Sequence, residues 1–298
     1  DTYGIAPSNT TLTVRYLTGG GVTANVEAGT LTSLAGTTNI SFINNNLNSP
    51  TANYIFNTIA VNNPQAASGG GSGDTVEEIR QNTLVAYQSQ LRNVTPNDYL
   101  VRALSMPSNY GSVAKAFVQP VKASDSTLPG QIPTTLNLYV LGYNASGYLN
   151  QVSDTVKQNL NTYLSEYRIA GDSVTIKDGY VINIGCDFEV VVRPNYINSE
   201  VLVNCLTELK AYFKTENWQF NQPIILKDLN ILLDKVPGVQ TVKSVIITNK
   251  TGVSQGYSEF AYDTSIATQG NVIYPSIDPM IFEVKYPDTD IKGRVVSL

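Results

Sequence analysis

The side chains that usually carry proton transfer and transition-metal binding near neutral pH are missing from this sequence, because its 298 residues include no His. A Ser-His-Asp triad, a Cys-His dyad and a His-ligated zinc site are excluded outright. What remains is chemistry done by carboxylates alone, such as glycoside hydrolysis by paired acids, or a Ca²⁺ or Mg²⁺ site built from oxygen ligands. Four groups of residues have types that fit such work or ligand binding. Asp288-Thr289-Asp290 has the form of a two-acid metal clamp, but it follows Pro287 in a turn-like context, where solvated acids are the ordinary reading. Asp187 and Glu189 share one face of a strand by period two, and a strand edge or an ion pair with Arg193 explains them more economically than a catalytic pair. Trp218 and Phe220, with the many tyrosines, have the type that stacks on sugar rings, yet the apolar run from Trp218 to Ile225 favours a core or an interface. Cys186 and Cys205 have neither metal-ligand spacing nor a disulfide framework and read as two buried free thiols. No catalytic, cofactor or metal site is therefore expected.

Composition narrows the partners. Charged residues make up 14% of the chain, against roughly 25% in typical soluble proteins. Surface polarity must then come from Asn, Thr, Ser, Gln and the 18 tyrosines. Such a surface suits a chain packed against other proteins, since interface cores are depleted in charge and enriched in Tyr. The net charge is −5 and the Lys and Arg residues are scattered, which argues against nucleic acid. No apolar run approaches the roughly 20 residues that cross a bilayer as a helix, so no membrane partner is expected. The chain starts at Asp1 without Met, which reads as a fragment or a processed product.

The expected fold class is α+β with several domains: a β-rich part over 1–73, a helical connector over 74–112, a split-βαβ, ferredoxin-like domain over 113–250, and a β-rich tail over 251–298. Alternation of Leu12, Val14 and Tyr16 predicts a strand that Gly19-Gly20-Gly21 ends. Short apolar pieces such as Ile40-Ser41-Phe42 and Tyr54-Ile55-Phe56 extend the β reading. The Gly/Ser stretch from Ala66 to Gly73 lacks the ending of a phosphate-binding loop and reads as a turning connector. Asp74 with Glu77 predicts a helix start, and Thr95-Pro96-Asn97-Asp98 a second, capped by Thr95. The central order is strand (Leu136 to Val140), helix (from Ser153), strands (Val174 to Ile176 and Val181 to Val192, with turn or bulge points at Gly179 and Gly185), helix (capped by Asn198) and strand (Val242 to Ile247). That βαββαβ order gives the ferredoxin-like expectation. The tail carries strands at Val272 to Tyr274 and Met280 to Tyr286. The second has an apolar stripe that another domain or subunit must cover.

Three segments carry a resemblance. Tyr16 to Leu31, with its triple glycine and Asn25-Val26, is the first. The second runs from Gly69-Gly70 through Asp74, Glu77, Glu78 and Arg80 to the segment Arg92 to Tyr99. The third is Val236-Pro237-Gly238-Val239. In this order and spacing, over roughly residues 10 to 250, they resemble the baseplate J-like family of contractile-tailed phages. The family's N-terminal region has no counterpart here. The resemblance implies a structural, non-catalytic subunit of a baseplate wedge in the virion tail. Its implied partners are itself, as a dimer within a ring around the tail hub that rearranges on sheath contraction, and other wedge proteins. A carbohydrate-binding adhesin is the alternative from a different class, and a carboxylate glycosidase a third. Self-association is expected through Trp218 to Ile225 or Met280 to Tyr286, covering apolar surface by two-fold pairing.

Overall fold

A computed structural model describes residues 21–33, 49–67, 92–107, 110–121, 135–169 and 171–297, with a few single positions between them, among them Gly70. The elements in chain order are helix α1 (Ser49–Thr58), α2 (Pro96–Leu104), strands β1 (Lys115–Pro120), β2 (Thr135–Tyr143) and β3 (Leu149–Asn150), α3 (Asp154–Ser165), β4 (Ser173–Asp178), β5 (Tyr180–Val192), α4 (Asn198–Tyr212), β6 (Ile224–Ile225), α5 (Leu226–Asp234), β7 (Val239–Asn249), α6 (Thr264–Ala267), β8 (Thr268–Gln269), β9 (Val272–Ile273), β10 (Met280–Glu283), α7 (Pro287–Asp290) and β11 (Ile291–Val295). The fold is α+β.

Local sequence explains the helices. Thr95 caps α2 in a reciprocal box. The Asp98 N–H donates to Thr95 Oγ1 at 3.3 Å and the Thr95 N–H to Asp98 Oδ2 at 2.7 Å, with Pro96 at the first helical position. Val156, Leu160 and Leu164 in α3, and Val201, Cys205 and Leu209 in α4, are spaced so that one face of each helix is buried. Asn198 is the first helical residue of α4 and not its cap; Ile197 holds that place without a side-chain bond.

The ferredoxin-like expectation fails at Gly179. A split-βαβ domain needs a hairpin between its second and third strands, folding all four into one sheet. Here β4 and β5 follow one another with Gly179 alone between them, too short a link for a hairpin loop. β4 lies parallel to β2, with β1 antiparallel on the other side of β2, and β3 also pairs with β2. β5 enters a second sheet as its central strand, antiparallel to β7 and parallel to β10 and β11. The handover is visible in the hydrogen bonds: the Gly179 N–H donates to Val140 O at 3.2 Å, and the next N–H, of Tyr180, to Pro279 O at 3.1 Å. A side chain at 179 would collide with the Phe220 ring, whose carbons stand 2.4 Å from where a Cβ would lie. Gly185 is no turn or bulge. It sits in regular register with Thr248, and the strand irregularities fall at Glu189/Val190 and Val191/Val192.

Two apolar cores follow from two sheets. Tyr99, Ala103, Leu138, Val140, Val156, Leu160 and Leu164 fill the first, between α2, α3 and the β2 sheet. The larger one surrounds β5, with Ile184, Cys186, Phe188 and Val190 against Cys205 and Leu209 of α4 and Leu229 and Leu233 of α5. The tail completes this core, because Met280, Ile281, Phe282 and Ile291 belong to it. Both segments proposed for self-association are consumed inside one chain. Trp218, Phe220 and Ile224 are buried, as are all four residues of β10, so the apolar stripe of the tail is covered by β5 and its neighbours.

The amino-terminal part departs from the β-rich expectation. Its described residues form a short 3-10 helix over Gly21–Ala24 and the α-helix α1, and Tyr54-Ile55-Phe56 lie in α1. Pro50 sits in the first turn, where its missing N–H is no loss. The strand expected at Leu12 to Tyr16, the pieces Ile40 to Phe42 and the helix start at Asp74 and Glu77 lie outside the described residues. Val76, Ile79, Arg80 and Thr83, which follow that start, are helical.

Candidate functional site

Two built arrangements stand out. The first joins two of the three segments singled out in the sequence. Asn25 is buried at 2% exposure, and its amide works on both sides. Nδ2 donates to Gly70 O and to Tyr143 O, each at 2.9 Å, while Oδ1 accepts from the Gly70 N–H at 2.6 Å. The stretch around Gly70 is therefore a pinned contact, and a Cβ there would meet the Gly21 carbonyl oxygen at 2.2 Å. Gly21 and Gly29 take left-handed backbone at φ 59° and 72°, as a geometric role requires. Asn63 repeats the device: its Nδ2 donates to Glu27 O at 2.8 Å and its Oδ1 accepts from the Leu31 N–H at 2.9 Å. The Ala67 N–H donates to Val26 O at 2.8 Å. A strap made of residues 25–31, 63–67 and Gly70 is thus tied together by the Asn25 and Asn63 amides and joined to the end of β2 by that of Asn25. The third segment is a turn whose Gly238 carbonyl accepts from the Arg193 N–H at 2.9 Å.

The second arrangement lies where the tail meets the β2–β3 turn. Glu283, at the end of β10, is 2% exposed; its Oε1 accepts from the Leu149 N–H at 2.8 Å and its Oε2 from Asn183 Nδ2 at 2.9 Å. Burial pushes its carboxyl up to about 7, with the two hydrogen bonds and Lys285 acting in the opposite direction. Asn183 Oδ1 accepts from the Ser258 N–H at 2.7 Å, and the Lys250 N–H donates to Asn183 O. Asp290 is buried as well and accepts from the Tyr257 hydroxyl at 2.5 Å and the Tyr286 N–H at 2.9 Å. Over these groups opens a hollow of about 540 Å³ walled by Tyr148, Tyr257 and Tyr286. The Tyr286 ring meets both others edge to face, at 5.4 Å between centroids. Desolvation and the Asp290 bond push the Tyr257 hydroxyl up to about 12, so it stays a donor.

The residues weighed from the sequence are dispersed. Asp288 and Asp290 do not converge. Asp288 points to solvent and pairs with Lys210 at 2.5 Å, whereas Asp290 is turned inward. Glu189 pairs with Arg294 on β11 and, at 3.9 Å, with Lys243 on β7; Arg193 is engaged elsewhere, donating from Nε to Val239 O. Register explains this, since Arg294 stands directly opposite Glu189. Trp218 stacks on Phe213 at 5.7 Å and donates from Nε1 to Tyr212 O, so no face is open to a sugar. Cys186 and Cys205 are buried free thiols, held protonated by desolvation with values of about 12 and about 11. Among the described residues no group of three or more Cys, Asp or Glu is placed to hold a metal ion. A second hollow of about 560 Å³ near Tyr139 and Tyr180 mixes Lys177 with Asp178 and Asp278 and brings no set of like groups to one point.

A comparison with known proteins bears on this arrangement of ties without chemistry. The baseplate wedge protein gp6 of Enterobacteria phage T4 is 28% identical to the chain over 224 residues. The chain is similar to a phage baseplate wedge protein. The matched part is 74% of this chain and 28% of the relative, so the chain spans less than a third of that protein's length. The relative is named for its place in a particle and not for a reaction. No family model matches the chain. Among solved structures, the six-fold symmetrised baseplate of the anti-feeding prophage matches with a TM-score of 0.45 and 15% identity, covering 75% of this chain and 45% of that one.

Sequence reasoning missed Glu283 and Asn183 altogether. An isolated acid at the end of an apolar stripe, Met280-Ile281-Phe282-Glu283-Val284, was the available signal, since a charge placed there is either an edge or a buried tie.

Proposed function

We propose that the chain is a structural subunit of a contractile-tail baseplate wedge, located in the virion, where it makes contacts with neighbouring wedge proteins and with copies of itself in a ring around the tail hub. The likeness to a wedge protein over 74% of the chain supports this reading. So does the chemistry: the sequence has no His, and Glu189, Glu283, Asp288 and Asp290 are each engaged in a local tie that holds segments together. A subunit of a ring that rearranges on contraction needs a rigid body and a part that can shift. The β5 core and the amide-held strap supply these two parts. Burial of Trp218 and Phe220 takes those two rings from the adhesin reading and leaves it only the tyrosines.

Protein mass spectrometry of purified particles, before and after isolation of the baseplate, tests the proposal. The chain is expected in the particle and enriched in the baseplate fraction. Its recovery only as free protein, with binding to a glycan array, would replace this reading by the adhesin.

A further inference from the structure

We propose that the hollow walled by Tyr148, Tyr257 and Tyr286 receives an arginine side chain presented by a neighbouring protein. The three tyrosines come from separate segments: the turn before β3, the loop after β7, and the link between β10 and α7. Each is held from behind. Next to Tyr148, the Leu149 N–H is tied to Glu283; next to Tyr257, the Ser258 N–H is tied to Asn183; and Tyr257 and Tyr286 both donate to Asp290. The backbone beside each ring is therefore fixed, and an open hollow of about 540 Å³ lies against the half-buried rings. Burying two carboxylates is costly unless they are fully bonded. Here that cost fixes the rings.

The chemistry of the walls selects a cation. Aromatic faces carry negative potential. Asp288 and Asp290 both lie within electrostatic reach of Tyr148. The cations facing the same space are Lys285, whose Nζ is 5.8 Å from the Tyr148 centroid, and Lys210, which is paired with Asp288. Lys285 is an example within the chain of a cation held over the Tyr148 ring. A guanidinium fits better than an ammonium, because it is planar, weakly hydrated and able to stack on a ring while donating at its edges. Gln255 also lines the hollow. That the arginine belongs to a neighbouring protein rests on the assembly reading above; the affinity of the hollow for arginine does not.

Titration of the full chain with N-acetyl-arginine amide, followed by ¹⁹F NMR on 3-fluorotyrosine-labelled protein, tests the inference. Saturable shifts at Tyr148, Tyr257 and Tyr286 are expected, with an apparent Kd of the order of 1 mM. The neutral analogue N-acetyl-citrulline amide should bind about tenfold more weakly, the size of a desolvated cation–π contribution. Tyr148→Leu keeps an apolar wall without the ring face and should lose most of the response. Asp288→Asn, at an exposed position that leaves folding intact, should weaken it about two- to threefold. Equal binding of the citrulline analogue, unchanged binding by Tyr148→Leu, or saturation by a neutral oligosaccharide in place of arginine would each overturn the inference. Arginine binding in a chain absent from the baseplate would leave the hollow in place and refute only the identity of its partner.

Discussion

The β5-centred core and the amino-terminal strap are held together by opposite means. Around β5, apolar side chains from α4, α5 and several strands exclude water, and the buried polar groups among them are few. In the described residues 21–33 and 49–67 the only fully buried residue is polar, Asn25, and the strap is fixed by the amides of Asn25 and Asn63. Apolar burial gives about 25 cal/mol per Å² and cooperates over the whole core. A net hydrogen bond contributes about 1 kcal/mol and acts locally. The core should therefore behave as one unfolding unit, while the strap opens on its own at low cost.

Breaking the core should produce the largest effect. Ile184 is fully buried in the middle of β5, and Ile184→Ala should lower global stability by about 2–5 kcal/mol, visible as a shift of the whole denaturation curve.

The next effect is one of pH, at the tie between the two sheets. Glu283 has a folded-state value of about 7, above its ordinary 4.5. The folded chain then holds a proton that the unfolded chain releases. The stability this contributes is complete below about 4.5 and is lost as the pH rises through about 7, a loss of about 2–4 kcal/mol. Glu283→Gln should flatten that part of the pH–stability curve, and parallel curves for both proteins would refute the assignment.

Asn25→Ala should cost about 1–3 kcal/mol, but locally. Hydrogen exchange should speed up at the amides of Gly29, Ala67 and Gly70, while those of β5 keep their protection. If the main melting transition moved as far as it does in Ile184→Ala, the strap would have to be counted as part of the core. Least of all should come from Arg294→Ala, which removes an exposed pair with Glu189 and is expected to cost under about 1 kcal/mol in thermal denaturation.

The same contrast decides what could be read from the sequence. Elements with a strong apolar period were legible: α2 with its Thr95 box, α3, α4, β5, β7 and β10 lie where spacing places them. Their arrangement was not. Periodicity cannot tell a strand that turns back from one that continues into another sheet, and the expected gap between Ile176 and Val181 left room for a hairpin that the strands, meeting at Gly179, do not make. The strap was misjudged for a related reason. Its contacts are amide bonds between residues some 45 apart, as in Asn25 to Gly70, and such pairings leave no period. The segments that resemble a phage family proved more telling there, because Asn25 and Gly70 belong to two of them. At the hollow, Asp288 and Asp290 drew attention as a pair, yet what organises the site is Asp290 together with Glu283 and Asn183, brought close only by the tail joining β5.

Cryo-electron microscopy of the baseplate from the particle that carries this chain tests the central claim most directly. The account predicts density in the wedge that fits the β5-centred core as one rigid body, with the strap as the part that differs between extended and contracted tails. A baseplate fully accounted for by other chains, with no density for this fold, would contradict it.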